Sequence, residues 1–248
     1  MIYALPTGRA SPGKGGGMEE FFSQADTADV PGLWKAFSAF YKAHGIRRLT
    51  TIHMPAIGGP GTAAIHMQGY PAEWTQRYLD GMHTDDPFRL HATVHGTPFR
   101  WSAIRALRAL TPAQEAYLAG LAKVHGGDGI AIPVFGPHGR NGCVEIALPK
   151  GEEPGRDVER LFRIVAQYAH QRYCEIVSDD DALPLSPREL EVLAWVARGK
   201  SNSVIADIIG VSANTVDTHL RRIYAKLDVS DRVSAALAGI GRGLVEMP

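Results

Sequence analysis

The sequence lacks the features that mark a disulfide-stabilised, zinc-clustered or membrane-spanning protein. Its two cysteines, Cys143 and Cys174, are not in CxxC spacing, which fits a reducing compartment and excludes a disulfide framework. No run reaches the roughly 18 to 20 apolar residues that a membrane span needs. Charge of one sign is not in excess either, because 26 Lys and Arg balance 26 Asp and Glu. We therefore expect a cytoplasmic protein without membrane contact, and the neutral total neither indicates nor excludes a nucleic-acid partner.

The length of 248 residues is enough for two unequal domains. Residues 1–17 lack the apolar centre of a signal peptide and are predicted to be a flexible leader, with Met18 as an alternative start. Residues 18–177 are predicted to form the first of these domains. The acidic stretch "SDDDALP" interrupts the periodicity and predicts a linker over 178–184, followed by an all-helical domain over 185–248.

Alternating helix and hairpin patterns predict the fold of residues 18–177. An apolar helical face covers residues 30–44, and a second helix starts at the capping box of Thr111 and Gln114. The stretches "RRLTTIHM" and "TAAIHMQ" predict one β-hairpin, and "GIAIPVF" and "NGCVEIAL" predict another. A long helix from about 155 to 177 follows. The predicted fold class is α+β, an α/β/α sandwich with an antiparallel sheet, followed by a four-helix domain.

The last 64 residues contain the N-cap and C-cap residues that begin and end short helices. Ser186, Ser212 and Ser230 are predicted N-caps, and a further short helix begins near Ser201. Gly210 ends a helix of about eight residues before the turn "GVS" and a longer helix, which is the spacing of a helix-turn-helix unit.

The longer helix has a buried stripe and a polar face. Val216, Leu220, Ile223 and Leu227 form the stripe. The residues left outside it are Asn214, Thr215, Asp217, Thr218, Arg221, Arg222 and Lys226. These side chains have the donors that reach base edges and phosphates in a major groove. A solvated face on an ordinary helical bundle is the alternative.

The stretches "SPRELEVL", "GKSNSVIA", "VSANTVDTHLRRIYAKL" and "VSDRVSAAL" resemble, in order and spacing, the DNA-binding domain of LuxR-type transcription regulators. The resemblance implies phosphate contacts from Lys200, Asn202 and Thr218 and a base contact from Arg221. Arg222 and Lys226 fit a DNA contact or a solvated surface equally well. Asp217 departs from the basic residue that the family usually has, and a carboxylate near phosphates lowers affinity unless it accepts from a cytosine amino group.

The amino-terminal half resembles the autoinducer-binding domain of quorum-sensing LuxR-type regulators through "GYPAEWTQRYLDGMHTDDPF", "TPFRWS" and "GGDGIAIPVFGPHGRNG". The ligand that the resemblance implies is an N-acyl homoserine lactone. Trp74 would bind its lactone carbonyl, Tyr78 its amide carbonyl and Asp86 its amide N–H. Trp101 would form a wall beside the acyl chain, Tyr70 would line the same cavity, and Gly129 would be structural.

Each of these roles has an alternative in the residues themselves. Trp74 and Tyr78, one helical turn apart, also fit core aromatics. Asp86 before Pro87 is an ideal N-cap, a role that can coexist with ligand binding.

Glu145 stands where the family commonly has Ser or Thr. Strand alternation places Val144 and Ile146 on the opposite face, so Glu145 would face the ligand. Two carboxylates around one ligand repel unless one is protonated or the ligand supplies a cation or extra donors. An amine-bearing or other acyl amide is therefore an alternative ligand. A register slip of one residue would instead turn Glu145 to solvent.

Two residue pairs that contain histidine, one His–His and one His–Cys, have the spacing of a metal or catalytic site without its other residues. His91 and His95 are predicted to be a surface pair, because no third metal ligand is evident. His170 and Cys174 are predicted to lie on an exposed helix without an oxyanion hole, which argues against catalysis. We predict no metal, no cofactor and no enzyme activity.

The combined prediction is a homodimeric transcription regulator that binds a small acyl signal and a palindromic double-stranded DNA operator, with RNA polymerase as a further partner. A phosphorylated receiver is excluded because "TIHMPAIGG" over 51–59 has no Asp. Two alternatives stay open: an enzyme acting on acyl amides or lactones, and a regulator whose sensory domain responds to a protein.

Overall fold

The computed structural model describes residues 17–55, 62–177 and 185–246. The predicted linker and all but the last residue of the predicted leader lie outside these residues. No helix in the described ranges combines the length and the apolar character needed to cross a bilayer. The α-helices are α1 Met18–Thr27, α2 Val30–Ala43, α3 Ala72–Leu79, α4 Pro87–Ala92, α5 Ile104–Leu107, α6 Pro112–Val124, α7 Arg156–Val177, α8 Pro187–Ala197, α9 Asn202–Ile209, α10 Ala213–Leu227 and α11 Arg232–Gly241. The strands are β1 Arg48–His53, β2 Ala64–Gln68, β3 Phe99–Arg100, β4 Gly129–Val134 and β5 Gly142–Ala147.

The five strands form one antiparallel sheet in the order β2-β1-β5-β4-β3. Both predicted hairpins, β1–β2 and β4–β5, are present. They are joined by the pairing of β1 with β5, in which Thr50 lies opposite Glu145. Glu145 is also opposite Ala131 of β4, so it occupies the middle of the sheet. The two-residue strand β3 was not predicted, because so short a segment carries no periodicity.

Side chains alternate between the two faces of the sheet and create two cores. Leu49, Val144 and Ile146 pack against α1, α2 and α7. Ile52 and Cys143 lie on the opposite face with the aromatic side chains of α3, α4 and α6. The predicted α/β/α sandwich is therefore confirmed, and the second face holds every residue that was predicted to bind ligand.

A buried histidine pair crosses the first core. His53 Nδ1 lies 2.6 Å from His170 Nδ1, and His170 Nε2 donates to the Arg140 carbonyl at 2.6 Å. His170 therefore accepts from His53, whose Nε2 is buried without a partner. Burial lowers the pKa of both histidines, and His170 and His66 lower that of His53 further. The prediction that His170 and Cys174 lie on an exposed helix is wrong, because both are buried against the β4–β5 end of the sheet.

The carboxy-terminal helices enclose a third core of their own. Ser186 and Glu189 form the predicted capping box, and Ser201 and Ser212 cap α9 and α10 as expected. Gly210 ends α9 in a left-handed conformation, with φ of 70°. The predicted N-cap at Ser230 is wrong. Asp231 caps α11 instead, because its carboxylate accepts from two backbone amides, those of Val233 and Ser234.

Candidate ligand site and nucleic-acid interface

Asp86 is the centre of the second core and uses both carboxyl oxygens. Its Oδ1 accepts from the backbone amides of Phe88 at 2.9 Å and Arg89 at 3.3 Å, which caps α4. Its Oδ2 accepts from the hydroxyl groups of Tyr78 at 2.6 Å and Tyr117 at 3.2 Å. The side chain is fully buried. Four converging donors satisfy the hydrogen-bonding capacity of this carboxyl group in an apolar surrounding.

Tyr78 and Tyr117 hold Asp86 from two different helices, α3 and α6. Burial, followed by the charge of Asp86, raises the pKa of both phenols well above the ordinary value, so both remain donors. Each hydroxyl has one hydrogen, and in this structure Tyr78 donates its hydrogen to Asp86. The predicted bond from Tyr78 to a ligand carbonyl would require that hydrogen to leave Asp86. Tyr117 was missed, because only the tertiary fold brings it to a residue 31 positions away.

Trp74 and Tyr70 extend the site along α3 and the segment before it. The ring centroid of Trp74 lies 5.6 Å from that of Tyr117. Gly120 of α6 gives the indole room, because a Cβ there would lie 2.8 Å from Trp74 Cζ3. Burial raises the pKa of Tyr70, and the nearby charge of Glu145 raises it further. Tyr70 and Trp74 therefore belong to the core that Glu145 faces.

Trp101 lies flat on Phe88, with ring centroids 5.2 Å apart and planes 14° apart. Its other side touches the backbone of Gly129, where a Cβ would lie 2.3 Å from Trp101 Cδ2. Glycine is therefore required at residue 129 for the indole to occupy this position. The indole Nε1 is buried and has no hydrogen-bond partner.

Glu145 faces the same core, as strand alternation predicted. It is 2% exposed and shares its face with Cys143 and Ala147. Burial, then the charge of Asp86 and a hydrogen bond with it, raise the pKa of Glu145 well above the usual range, whereas Arg89 acts in the opposite direction. Its Oε1 is buried without a partner. The raised pKa favours the neutral form of Glu145 in this core.

His91 and His95 stack on each other with ring centroids 4.1 Å apart, and His91 meets the edge of Phe99. His91 is 5% exposed, so the predicted surface pair is wrong for this residue. In the ranges that the structure describes, no three or more His, Cys, Asp or Glu side chains are grouped to hold a metal ion.

The exposed face of α10 carries the residues predicted to meet DNA. Asn214, Thr215, Thr218, Arg221 and Arg222 are exposed. Asp217 forms an ion pair with Arg221 at 2.8 Å, one helical turn away. The Asp217 carboxylate therefore partly neutralises the guanidinium that the resemblance assigns to a base contact.

Three other predicted DNA residues take part in contacts within the protein. Lys226 Nζ lies 2.7 Å from Glu189 Oε2, and the same oxygen accepts from the backbone amide of Ser186. Lys226 thus joins the end of α10 to the start of α8, which differs from its predicted place on the DNA-facing surface. Arg232 donates to the Asn202 side chain at 2.9 Å and to the Lys200 carbonyl.

Comparison with known proteins gives two family matches. Residues 29–173 match the family described as autoinducer binding domain, and residues 183–238 match bacterial regulatory proteins of the luxR family. The HTH-type transcriptional regulator y4qH of Sinorhizobium fredii is 30% identical over 72% of this chain, which spans only 56% of that relative. The quorum sensing-dependent regulator RpaR of Rhodopseudomonas palustris is 25% identical over 92% of this chain and 94% of its own. Escherichia coli SdiA in complex with octanoyl-rac-glycerol has a TM-score of 0.71 and 16% identity, covering 93% of this chain and 96% of that chain.

Proposed function

Because the chain belongs to the luxR family of bacterial regulatory proteins and has an autoinducer-binding domain, we propose that it is a transcription regulator whose Asp86 site binds an N-acyl homoserine lactone or related acyl amide. In this proposal residues 18–177 sense the ligand, residues 178–184 link, and residues 185–248 bind double-stranded DNA in the cytoplasm. The protein acts as a binding protein and not as an enzyme.

The observation that carries the ligand proposal is the presence of two buried polar atoms without partners, Trp101 Nε1 and Glu145 Oε1, among aromatic side chains of one core. A buried polar group left unsatisfied costs about 1–3 kcal/mol, so native cores rarely retain one. A ligand that offers one acceptor and one donor would remove both costs. An acyl amide has carbonyl acceptors, an N–H donor and an apolar tail for the surrounding rings.

Three further polar groups of the site would bind the same ligand, because its carbonyl oxygens can each accept a second bond, from Trp101, and its N–H can be shared with Glu145. Trp74 would donate to the lactone carbonyl, and Asp86 would accept from the amide N–H with its Oδ2. Tyr78 would then turn its hydroxyl hydrogen from Asp86 to the amide carbonyl, with Tyr70 beside it. The aromatic walls formed by Trp101 and Phe88 would take the acyl chain. A related fold in complex with octanoyl-rac-glycerol supports an acyl ligand.

We expect octanoyl homoserine lactone to raise the melting temperature of the protein, because a ligand that binds only the folded state adds about 2.7 kcal/mol at 100 times its Kd. Trp74→Phe is expected to reduce the affinity about tenfold, the equivalent of one lost hydrogen bond. Differential scanning calorimetry measures the melting temperature, and isothermal titration calorimetry measures the affinity.

The matched control is Trp195→Phe, which makes the same change in α8, outside the Asp86 site, and should leave the affinity unaltered. Equal losses in the two variants would contradict the assigned role of Trp74. Hydrolysis of the added lactone would indicate an enzyme. An unchanged melting temperature with lactones and other acyl amides would favour a sensor of protein contacts.

The DNA proposal rests on the exposed face of α10. We expect Arg222→Ala to weaken binding to all DNA sequences alike, and to reduce the slope of log K against log[salt] by about 0.9, because one phosphate contact is lost. Lys226→Met, which also removes one positive charge, serves as the comparison: its ammonium is paired with Glu189, so its slope should change less. Fluorescence anisotropy across a salt series checks this. Equal slopes for Arg222→Ala and the unmodified protein would contradict it.

Dimer formation is proposed through α11. Val233 and Leu237 are exposed at 68% and 46% and lie one helical turn apart. Two such helices can pair around a two-fold axis, which matches a palindromic operator whose half-sites are about one helical turn apart. RNA polymerase would be a further partner on the bound DNA.

A further inference from the structure

A groove of about 440 Å³ lies between the edge of the sheet and the first turns of α7. Its lining includes four arginines and one glutamate, which are Arg100 of β3 and Arg156, Glu159, Arg160 and Arg163 of α7. Arg100 pairs with Ile130, and side chains that are directly opposite in an antiparallel pair share a face of the sheet. Ile130 belongs to the first core. The groove is therefore on the face of the sheet opposite the Asp86 site.

The positive charge of this groove is only partly neutralised by the protein. Neither Arg156 nor Arg163 forms an ion pair with a carboxylate in the described ranges, and both are exposed. Arg160 lies 3.1 Å from Asp157, but the two side chains are 71% and 94% exposed. So exposed a pair contributes little, because water screens it. Two guanidinium groups of the lining thus have no carboxylate partner, and a third has a weak one.

Arg100 is held in the groove by one of its two terminal nitrogens. Its Nη2 donates to Glu153 at 2.7 Å and to Glu159 at 2.6 Å. Its Nη1 is buried and has no acceptor among the described residues. An unsatisfied buried donor is unfavourable, and an anion bound in the groove can supply the acceptor.

The three arginines of α7 are placed where a helix disfavours them. Arg156, Arg160 and Arg163 follow one another at four and three residues, so they are neighbours on one side of the helix, where like charges repel. Arg156 is also the first residue of α7, at the positive end of the helix dipole. A bound anion would remove both penalties, and the end of a helix at which backbone N–H groups are free favours anions as well.

We propose that this groove binds a phosphomonoester group carried by an organic molecule. Arg156 and Arg163 donate to the phosphate oxygens, and the organic part lies against Pro98 and Ile130. A phosphomonoester has about two negative charges at neutral pH and three acceptor oxygens, which suits two unpaired guanidinium groups better than a single carboxylate does. The groove has the size of sites for organic ligands, which exceeds that of inorganic phosphate. This site is independent of the proposed lactone site.

The test is isothermal titration calorimetry of the full chain with phenyl phosphate, phenyl sulfate and phenol, which share one organic group and differ in charge. We expect phenyl phosphate to bind about tenfold more tightly than phenyl sulfate, and phenol not to bind. Arg163→Ala should weaken phenyl phosphate binding about tenfold, and Arg163→Lys should weaken it less, because lysine keeps the charge without the fork of donors. The matched control is Arg77→Ala on α3, which removes an exposed arginine outside the groove and should leave the affinity unaltered.

A soluble ester and the headgroup of an anionic lipid are two sources of the same phosphate chemistry. Sedimentation with phosphatidylcholine vesicles that contain phosphatidic acid distinguishes them. Sedimentation that Arg163→Ala abolishes would support the groove with a lipid as the source. Binding of phenyl phosphate without sedimentation would support it with a soluble ester.

Four results would overturn the proposal. Phenyl phosphate and phenyl sulfate could bind equally, or Arg163→Ala and Arg77→Ala could cause equal losses, and either result would show general charge attraction only. Saturating octanoyl homoserine lactone could displace phenyl phosphate, which would place the phenyl group in the Asp86 site. Neither phenyl phosphate nor the vesicles could bind, while Arg163→Ala reduces the salt dependence of DNA binding, which would make the groove part of the DNA interface. Binding of none of these probes would also refute the site, whereas the lactone titration tests the proposed function separately.

Discussion

Asp86→Ala is expected to lower the free energy of unfolding by about 3–5 kcal/mol, because it removes a buried hydrogen-bonded charge and leaves its partners unpaired. The substitution takes the shared acceptor from Tyr78 and Tyr117 and also ends the cap of α4. Urea denaturation followed by tryptophan fluorescence measures the loss. Ligand binding should disappear with it, since Asp86 is the proposed amide acceptor.

Asp29→Ala is the matched control, because Asp29 caps α2 in the same part of the chain through a single amide and is exposed. Loss of an N-cap alone costs typically ~1 kcal/mol. Asp86→Asn keeps one acceptor oxygen, enough for the α4 cap or for the tyrosine hydroxyls but not for both, and should fall between the two. Similar losses for Asp29→Ala and Asp86→Ala would show that the tyrosine bonds contribute nothing beyond capping.

We expect the free energy of unfolding of the unmodified protein to decrease, relative to that of Glu145→Gln, as the pH rises. The pKa of Glu145 is raised in the folded state above its ordinary value of 4.5. Above pH 4.5 the unfolded chain loses this proton while the folded chain keeps it, so stability declines by about 1.4 kcal/mol per pH unit until the folded pKa is reached. Glutamine does not titrate. Urea midpoints of the two proteins between pH 5 and pH 8 should therefore diverge in favour of Glu145→Gln.

The buried histidines give stability the opposite pH dependence. Because both proteins contain them, their contribution cancels in the difference between the two. The pKa values of His53 and His170 are lowered on folding, so the stability that they add is present above the unfolded pKa of 6.5 and is lost in acid. Both proteins share this acid loss. A constant difference between them from pH 5 to pH 8 would contradict the raised pKa of Glu145.

Local rules identified most of the elements, because helix caps and strand alternation are encoded over a few residues. The capping boxes at Thr111 and Ser186 and the N-cap at Asp86 are present. The N-cap prediction at Ser230 failed because its neighbour Asp231 provides a carboxylate acceptor for the first amides of α11. Strand β3 could not be predicted from the sequence, because its two residues form a strand only through their pairing with β4.

The polar network of the site depends on contacts that the sequence does not encode locally. Alternation placed Glu145 on the correct face of β5, but the effect of Asp86 on its pKa depends on how α4 packs on the sheet. Tyr117 lies on a helix that was predicted, yet nothing in its spacing links it to Asp86. The His53–His170 pair joins residues 117 positions apart. The roles of the site residues in ligand binding and of the α10 residues in DNA binding remain predictions, which the experiments above test.

The pairing of β1 with β5 has a consequence for synthesis on the ribosome. Until residue 147 has left the exit tunnel, β1 has only its hairpin partner β2, and its other edge is open to solvent and to other chains. The sheet face that carries Thr50 and Glu145 forms only when the second hairpin docks. The proposed ligand could therefore bind only after that point, and without it a chain that has completed β5 keeps Trp101 Nε1 and Glu145 Oε1 unpartnered.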